Sequence, residues 1–146
     1  MTLKNQKEWI KKKFFLFNNW EEKYEYIIYL GKNLKKKSDK FRSKDKLIYG
    51  CQSKVWLEAK LIGKRIFFDA DSDALLPKGM VALMISVYSG HFPFEIISSN
   101  DNYISEIGLK TFLSPNRANG IFLFLKKIKL YAIAFNELLS IKNKKN

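Results

Sequence analysis

The stretch Ala74–Tyr88 is apolar on nearly every side, and it constrains the fold more than any other part of the chain. A helix with no polar face cannot lie on a surface. It has to sit at the centre with other elements packed around it. The flanking residues carry helix punctuation. Asp73 is placed to cap its start, Pro77 falls in the first turn where proline is best tolerated, and Gly90 closes it.

The segments on either side supply the packing partners. Lys4–Phe17 places Trp9, Ile10, Phe14 and Phe17 at helical spacing, which predicts an amphipathic helix. Asn19 followed by Glu22 reads as a capping box that opens a second helix from Trp20 to about Leu30, with Tyr24, Ile27 and Ile28 on one face. Gly31 stands where a C-terminal glycine would end it. Lys32–Lys46 is lysine-rich and aperiodic, and reads as an exposed loop.

From Leu47 the period changes. Leu47–Tyr49 is a short strand candidate. Val55–Leu61 alternates at strand period, with Val55, Leu57, Ala59 and Leu61 on one side. Gly63-Lys64 is a hairpin turn and Arg65–Asp69 returns as a strand. Beyond the central helix, Pro93–Ser98 and Asn102–Ile107 read as short helices. Ser114-Pro115 starts a long C-terminal helix to about Leu139. The fold class is therefore α+β: a small three-stranded antiparallel sheet packed against several helices, one of them a long C-terminal helix. The chain of 146 residues fits one domain, with its core at about 9–139 and a frayed tail at 140–146.

Composition excludes several functions. The net charge of +13 raises nucleic acid as a partner, but all of the 27 cations except Arg42, Arg65 and Arg117 are lysine. Specific phosphate or base readout favours arginine for its planar fork of donors. The lysines are also spread without an aromatic–basic repeat, so the excess reads as solvated surface. No apolar stretch approaches the about 20 residues of a membrane helix, and MTLKNQKEW is not a secretory signal. A cytoplasmic protein with no membrane partner is expected.

The chemistry then narrows to one atom. Cys51 is the single cysteine, which excludes an internal disulfide and a cysteine-rich metal site. His91 is the single histidine, and its place beside Phe92 and Pro93 reads as partial burial rather than a base for Cys51. Free cysteines are often small buried hydrophobes. Against that, Gly50 removes a side chain beside the thiol, and Gln52 and Ser53 add polar groups. The site is a turn ahead of a strand, where partners reach side chains. A lone thiolate can attack the outer sulfur of another protein's persulfide and keep it, with no metal or cofactor of its own.

Gly50-Cys51-Gln52-Ser53-Lys54-Val55-Trp56 resembles the GCQSxVW signature of the SufE family, which includes the related CsdE proteins. Three further blocks resemble it in the expected order: Trp20–Gly31; Asp71-Ser72-Asp73-Ala74 with Lys78-Gly79 and Ala82-Leu83; and Leu113-Ser114-Pro115-Asn116-Arg117-Ala118-Asn119-Gly120, close to LSPSRxNG. Together they cover roughly residues 9–135. Asn116 departs from the family's usual Ser.

The resemblance implies a sulfur acceptor whose Cys51 takes sulfane sulfur as a persulfide from a SufS-like or CsdA-like PLP-dependent cysteine desulfurase. It implies stimulation of that enzyme and transfer onward to a SufBCD-type scaffold for iron–sulfur cluster assembly. PLP belongs to the partner, so no cofactor and no metal is expected here beyond the transient persulfide. Gly50, Gln52 and Ser53 would support the cysteine loop. Asp73 and Arg117 match positions near that loop and a desulfurase-facing surface, while helix capping explains Asp73 equally well. Two other readings compete: a contact activator of the desulfurase without chemistry, and a basic nucleic-acid binder.

Overall fold

The computed structural model describes residues 1–109 and 113–145. In chain order they form α1 (Leu3–Phe15), α2 (Trp20–Lys32), β1 (Val55–Ile62), β2 (Arg65–Ser72), α3 (Leu75–Tyr88), α4 (Pro93–Ser98), α5 (Asn102–Glu106) and α6 (Pro115–Lys145). The α+β class is as expected, and α3 is central. Leu83, Val87 and Tyr88 are wholly buried, and α1, α2, α6 and β2 all pack on this helix. Each such side chain removed from water stabilises the fold by roughly 1.5–3 kcal/mol before entropy is counted.

Helices α2 and α3 approach each other backbone to backbone. An added Cβ on Gly79 of α3 would stand 2.2 Å from the Ile27 carbonyl oxygen of α2, and one on Gly31 would stand 2.8 Å from the Gly79 nitrogen. Gly31 therefore lies within α2 and does not terminate it. The helix runs to Lys32 and is capped by Asn33. The capping box at its start is half as expected. Asn19 Oδ1 accepts from the Glu22 N–H at 2.9 Å, but the Glu22 carboxylate accepts from the Asn18 N–H, one residue early.

The sheet has two strands, not three. β1 and β2 are antiparallel in register from Val55↔Ser72 to Ile62↔Arg65, turning at Gly63-Lys64 with Gly63 at φ 64°. The third strand expected at Leu47–Tyr49 is an isolated bridge between Leu47 and Trp56. The backbone shows why. The Leu47 N–H is still bonded to the Lys44 carbonyl in a turn, and Gly50 adopts φ 95° three residues later. Between them there is room for the Ile48 N–H to donate to the Val55 carbonyl, at 2.8 Å, and for little more.

The lysine-rich loop before it is mostly exposed but is pinned to the sheet. Phe41 is buried, Lys37 pairs with Asp69 at 3.0 Å, and Arg42 pairs with Asp71 at 2.8 Å. The Arg42 guanidinium also lies 4.9 Å from the centroid of the Trp56 ring. Val55 and Leu57 are core residues, as their alternation suggested, and Trp56 on the opposite face is buried as well.

Asp73 does not cap α3. The capping residue is Ala74, with no side-chain cap bond. Ser114 does cap α6: its hydroxyl accepts from the Arg117 N–H at 3.4 Å, and its carbonyl accepts from Ala118 at 3.0 Å. α6 continues past Leu139 to Lys145. Asn146, the end of the expected frayed tail, lies outside the described residues. Among those residues no helix is long and apolar enough to cross a membrane.

Candidate functional site

Cys51 stands at the tip of the turn between the Leu47 bridge and β1. The turn depends on Gly50 twice. Its φ of 95° is in the left-handed region, where side chains are strained, and a Cβ there would press 2.9 Å from Leu123 Cδ1 of α6. The turn therefore rests directly on α6.

The other end of the loop is clamped. The Lys54 N–H donates to Asp73 Oδ1 at 3.0 Å, and the Lys54 carbonyl accepts from the Asp73 N–H at 3.2 Å and from the Ser72 hydroxyl at 2.8 Å. Asp73 thus fixes the base of the cysteine loop.

Beside this clamp the Asp71 carboxylate is buried. It accepts from Arg42 at 2.8 Å and from the Ser72 N–H at 2.9 Å, with Lys78 at 3.6 Å. Burial pushes its pKa up, but the Arg42 bond, the Ser72 amide and the two cations together outweigh burial and hold it below the usual carboxylate value.

Cys51 itself opens on a cavity of about 450 Å³. Met80 and Met84 of α3 and Ile121 and Phe124 of α6 form apolar parts of its wall, and Tyr24, Gln52, Ser53, Asn116 and Arg117 bring polar groups to the lining. Arg117 is exposed and is the one charged side chain among the described lining residues. The position an added Cβ would take on Gly120 lies 3.8 Å from Cys51 Sγ, and among the described residues, its chain neighbours and own helix backbone aside, no other atom comes within 4 Å of it. The thiol is half-buried, and burial pushes its pKa above the ordinary thiol value. At rest Cys51 is a sheltered thiol rather than a poised thiolate.

The structure thus brings Cys51, Gln52, Ser53 and Arg117 to one cavity, with Gly50 adjoining it. Asp73 does not line the cavity. His91 does not line it either; it is buried, with Nδ1 3.9 Å from Glu95 Oε1. Among the described residues there is no group of three or more His, Cys, Asp or Glu able to hold a metal ion.

Sequence reasoning did not single out Gly120, Leu123, Met80 or Met84 as parts of the site. Gly120 carried a signal, since a glycine six positions into a helix needs a reason. The two methionines were indistinguishable from core.

Comparison with known proteins places the chain in one family and supports its fold. Residues 8–132 match the family described as "SufE: Fe-S metabolism associated domain". An uncharacterised SufE-like protein of Synechocystis sp. is 35% identical over 115 residues, which cover 79% of this chain and 72% of that protein. The solution structure of a hypothetical protein from Thermus thermophilus superposes with a TM-score of 0.76, covering 90% of this chain and 96% of that one. At 13% identity this likeness speaks to the fold.

Proposed function

We propose that this chain, which belongs to the SufE family, accepts sulfane sulfur on Cys51 from a PLP-dependent cysteine desulfurase of the SufS or CsdA kind. It then passes that sulfur on for iron–sulfur cluster assembly on a SufBCD-type scaffold. The Cys51 thiolate attacks the outer sulfur of the desulfurase's persulfide. One S–S bond forms as another breaks, the desulfurase leaves as its thiolate, and Cys51 becomes the persulfide. Removing the enzyme's persulfide frees it for another turnover, which is how acceptance would stimulate it.

The observation that carries this reading is the placement of the single cysteine. It tips a glycine-flanked turn over a cavity that sets apolar side chains of α3 and α6 beside the polar Gln52, Ser53, Asn116 and Arg117. Such a cavity shelters a persulfide from water and reductants, and the turn is a hinge on which the thiol swings out. A thiol whose ionisation is suppressed at rest fits an acceptor that reacts after a partner has drawn it into a different environment. Arg117, charged and exposed at that cavity, is placed to meet an acidic partner surface.

Incubating the protein with a cysteine desulfurase and free cysteine, then taking an intact mass, tests this directly. A gain of one sulfur, reversed by reductant and absent in Cys51→Ser, is expected. Stimulation of the desulfurase that survives Cys51→Ser undiminished would instead indicate activation by contact alone.

A further inference from the structure

We propose that Gly120 is a positioning residue, and that its missing side chain reserves the space into which the outer sulfur of the Cys51 persulfide fits. The inference rests on the persulfide reading above and deepens it.

Gly120 lies inside α6, with a backbone that any residue can adopt, since it is not among the glycines at positive φ. Inside a helix glycine is the least favourable ordinary residue and alanine the best. Three reasons commonly keep a glycine in such a place: backbone strain, a close approach of another chain segment, or space needed for something else. The first is absent. The second is weak, because an added Cβ would meet Cys51 Sγ at 3.8 Å, ordinary contact, and no other described atom within 4 Å outside its own helix backbone and chain neighbours. The resting protein therefore has room for a methyl group at Gly120 and does not fill it.

Persulfide formation changes the demand. A second sulfur is bonded at about 2 Å from Sγ. Directed toward α6 it would come within about 2 Å of a methyl carbon at position 120, far inside contact distance, given the 3.8 Å separation. With glycine there, that space stays open as part of the cavity that Gly120 lines together with Met84 and Phe124. The residue thus matters to the sulfur-loaded form and hardly at all to the thiol form.

The test compares the two forms in wild-type protein and in Gly120→Ala. Both are loaded with inorganic polysulfide, whose outer sulfur the Cys51 thiolate takes as the polysulfide leaves one sulfur shorter with the electron pair. Thermal melting is then followed for thiol and persulfide forms, and the rate at which dithiothreitol removes the sulfur is measured.

In the thiol form Gly120→Ala should melt about 3 °C higher, the usual gain from alanine in a helix of a domain this size. In the persulfide form that gain should vanish or reverse. Dithiothreitol should strip the sulfur from the variant on the order of tenfold faster, as expected when one methyl crowds a packed site. Gly120→Ser should behave alike. A merely structural role would move both forms together, and equal shifts with equal stripping rates overturn the role of Gly120. Failure of wild-type protein to gain sulfur from either polysulfide or a desulfurase overturns the reading beneath it as well.

Discussion

Of the helix glycines that touch a neighbouring element, Gly79 and Gly120 do so in opposite ways. At Gly79 the space is gone: a Cβ would sit 2.2 Å from the Ile27 carbonyl oxygen, so α2 and α3 meet backbone to backbone. At Gly120 the space is open, with the cysteine sulfur alone in ordinary contact. One glycine is there so that two helices can close. The other leaves a gap beside the residue that carries the chemistry. A glycine in a helix is therefore not one signal but two, and what stands opposite it tells them apart.

The strongest way to break this comparison is to put the same methyl at both places. Gly79→Ala should destabilise the protein by about 3 kcal/mol, the upper end of overpacking, because the atom it meets is backbone and cannot rotate away. Chemical denaturation of the two variants in thiol form should give opposite signs, with Gly120→Ala slightly stabilised. If Gly79→Ala lost less than about 0.5 kcal/mol, α2 and α3 would have slack that the contact distances deny.

A second contrast lies within the cysteine loop, between its clamped base and its tip. The base leans on Asp71, whose side chain is 3% exposed while that of its partner Arg42 is 39% exposed. Asp71→Asn should cost about 1–2 kcal/mol, less than a fully buried pair, since Arg42 can recover water. The pH dependence follows from the lowered folded-state pKa. The contribution is complete above the unfolded value of about 3.8 and is lost as pH falls below it toward the folded value. Acid unfolding of wild-type protein should therefore be steeper below about pH 4 than that of Asp71→Asn. At the tip, Gly50→Ala should cost about 1–2 kcal/mol, from a left-handed backbone and a 2.9 Å contact that the flexible Leu123 side chain can partly relieve.

The same contrast explains what was legible in the sequence. The central helix, the hairpin at Gly63-Lys64 and the start of α6 at Ser114-Pro115 were readable because each depends on local pattern. Cys51 with Gly50, Gln52 and Ser53 was readable because the motif is contiguous. Most of the misreadings concern contacts distant in sequence. Gly31 read as a helix end because nothing local reveals Gly79 opposite it. Asp73 read as a cap because its actual partner, Lys54, lies across the hairpin. The lysine-rich loop read as exposed, which it mostly is, but its pinning was hidden because Asp69 and Asp71 are on β2. Leu47–Tyr49 read as a strand because its residues favour one, while the turns on both sides leave it a single bridge.

The smallest expected effect is also the one that most sharpens the distinction between tip and base. Burial raises the Cys51 pKa, so the folded state favours the protonated thiol. By linkage, that shelter adds stability below the unfolded thiol's pKa, and the gain disappears as pH rises through the folded value. The rate at which iodoacetamide alkylates Cys51 should then rise with pH along a curve whose midpoint lies above the ordinary thiol value of 9.0 in the native protein, and return to it in denaturant. Asp71→Asn should leave this midpoint in place, because the carboxylate supports the base of the loop and is not a cause of the thiol's shift. Gly50→Ala, which forces the turn off Leu123, should lower it toward the ordinary value as Cys51 meets water. A midpoint at or below the ordinary value in native wild-type protein would mean that the thiol does not rest against the cavity. The gap at Gly120 would then have nothing to receive.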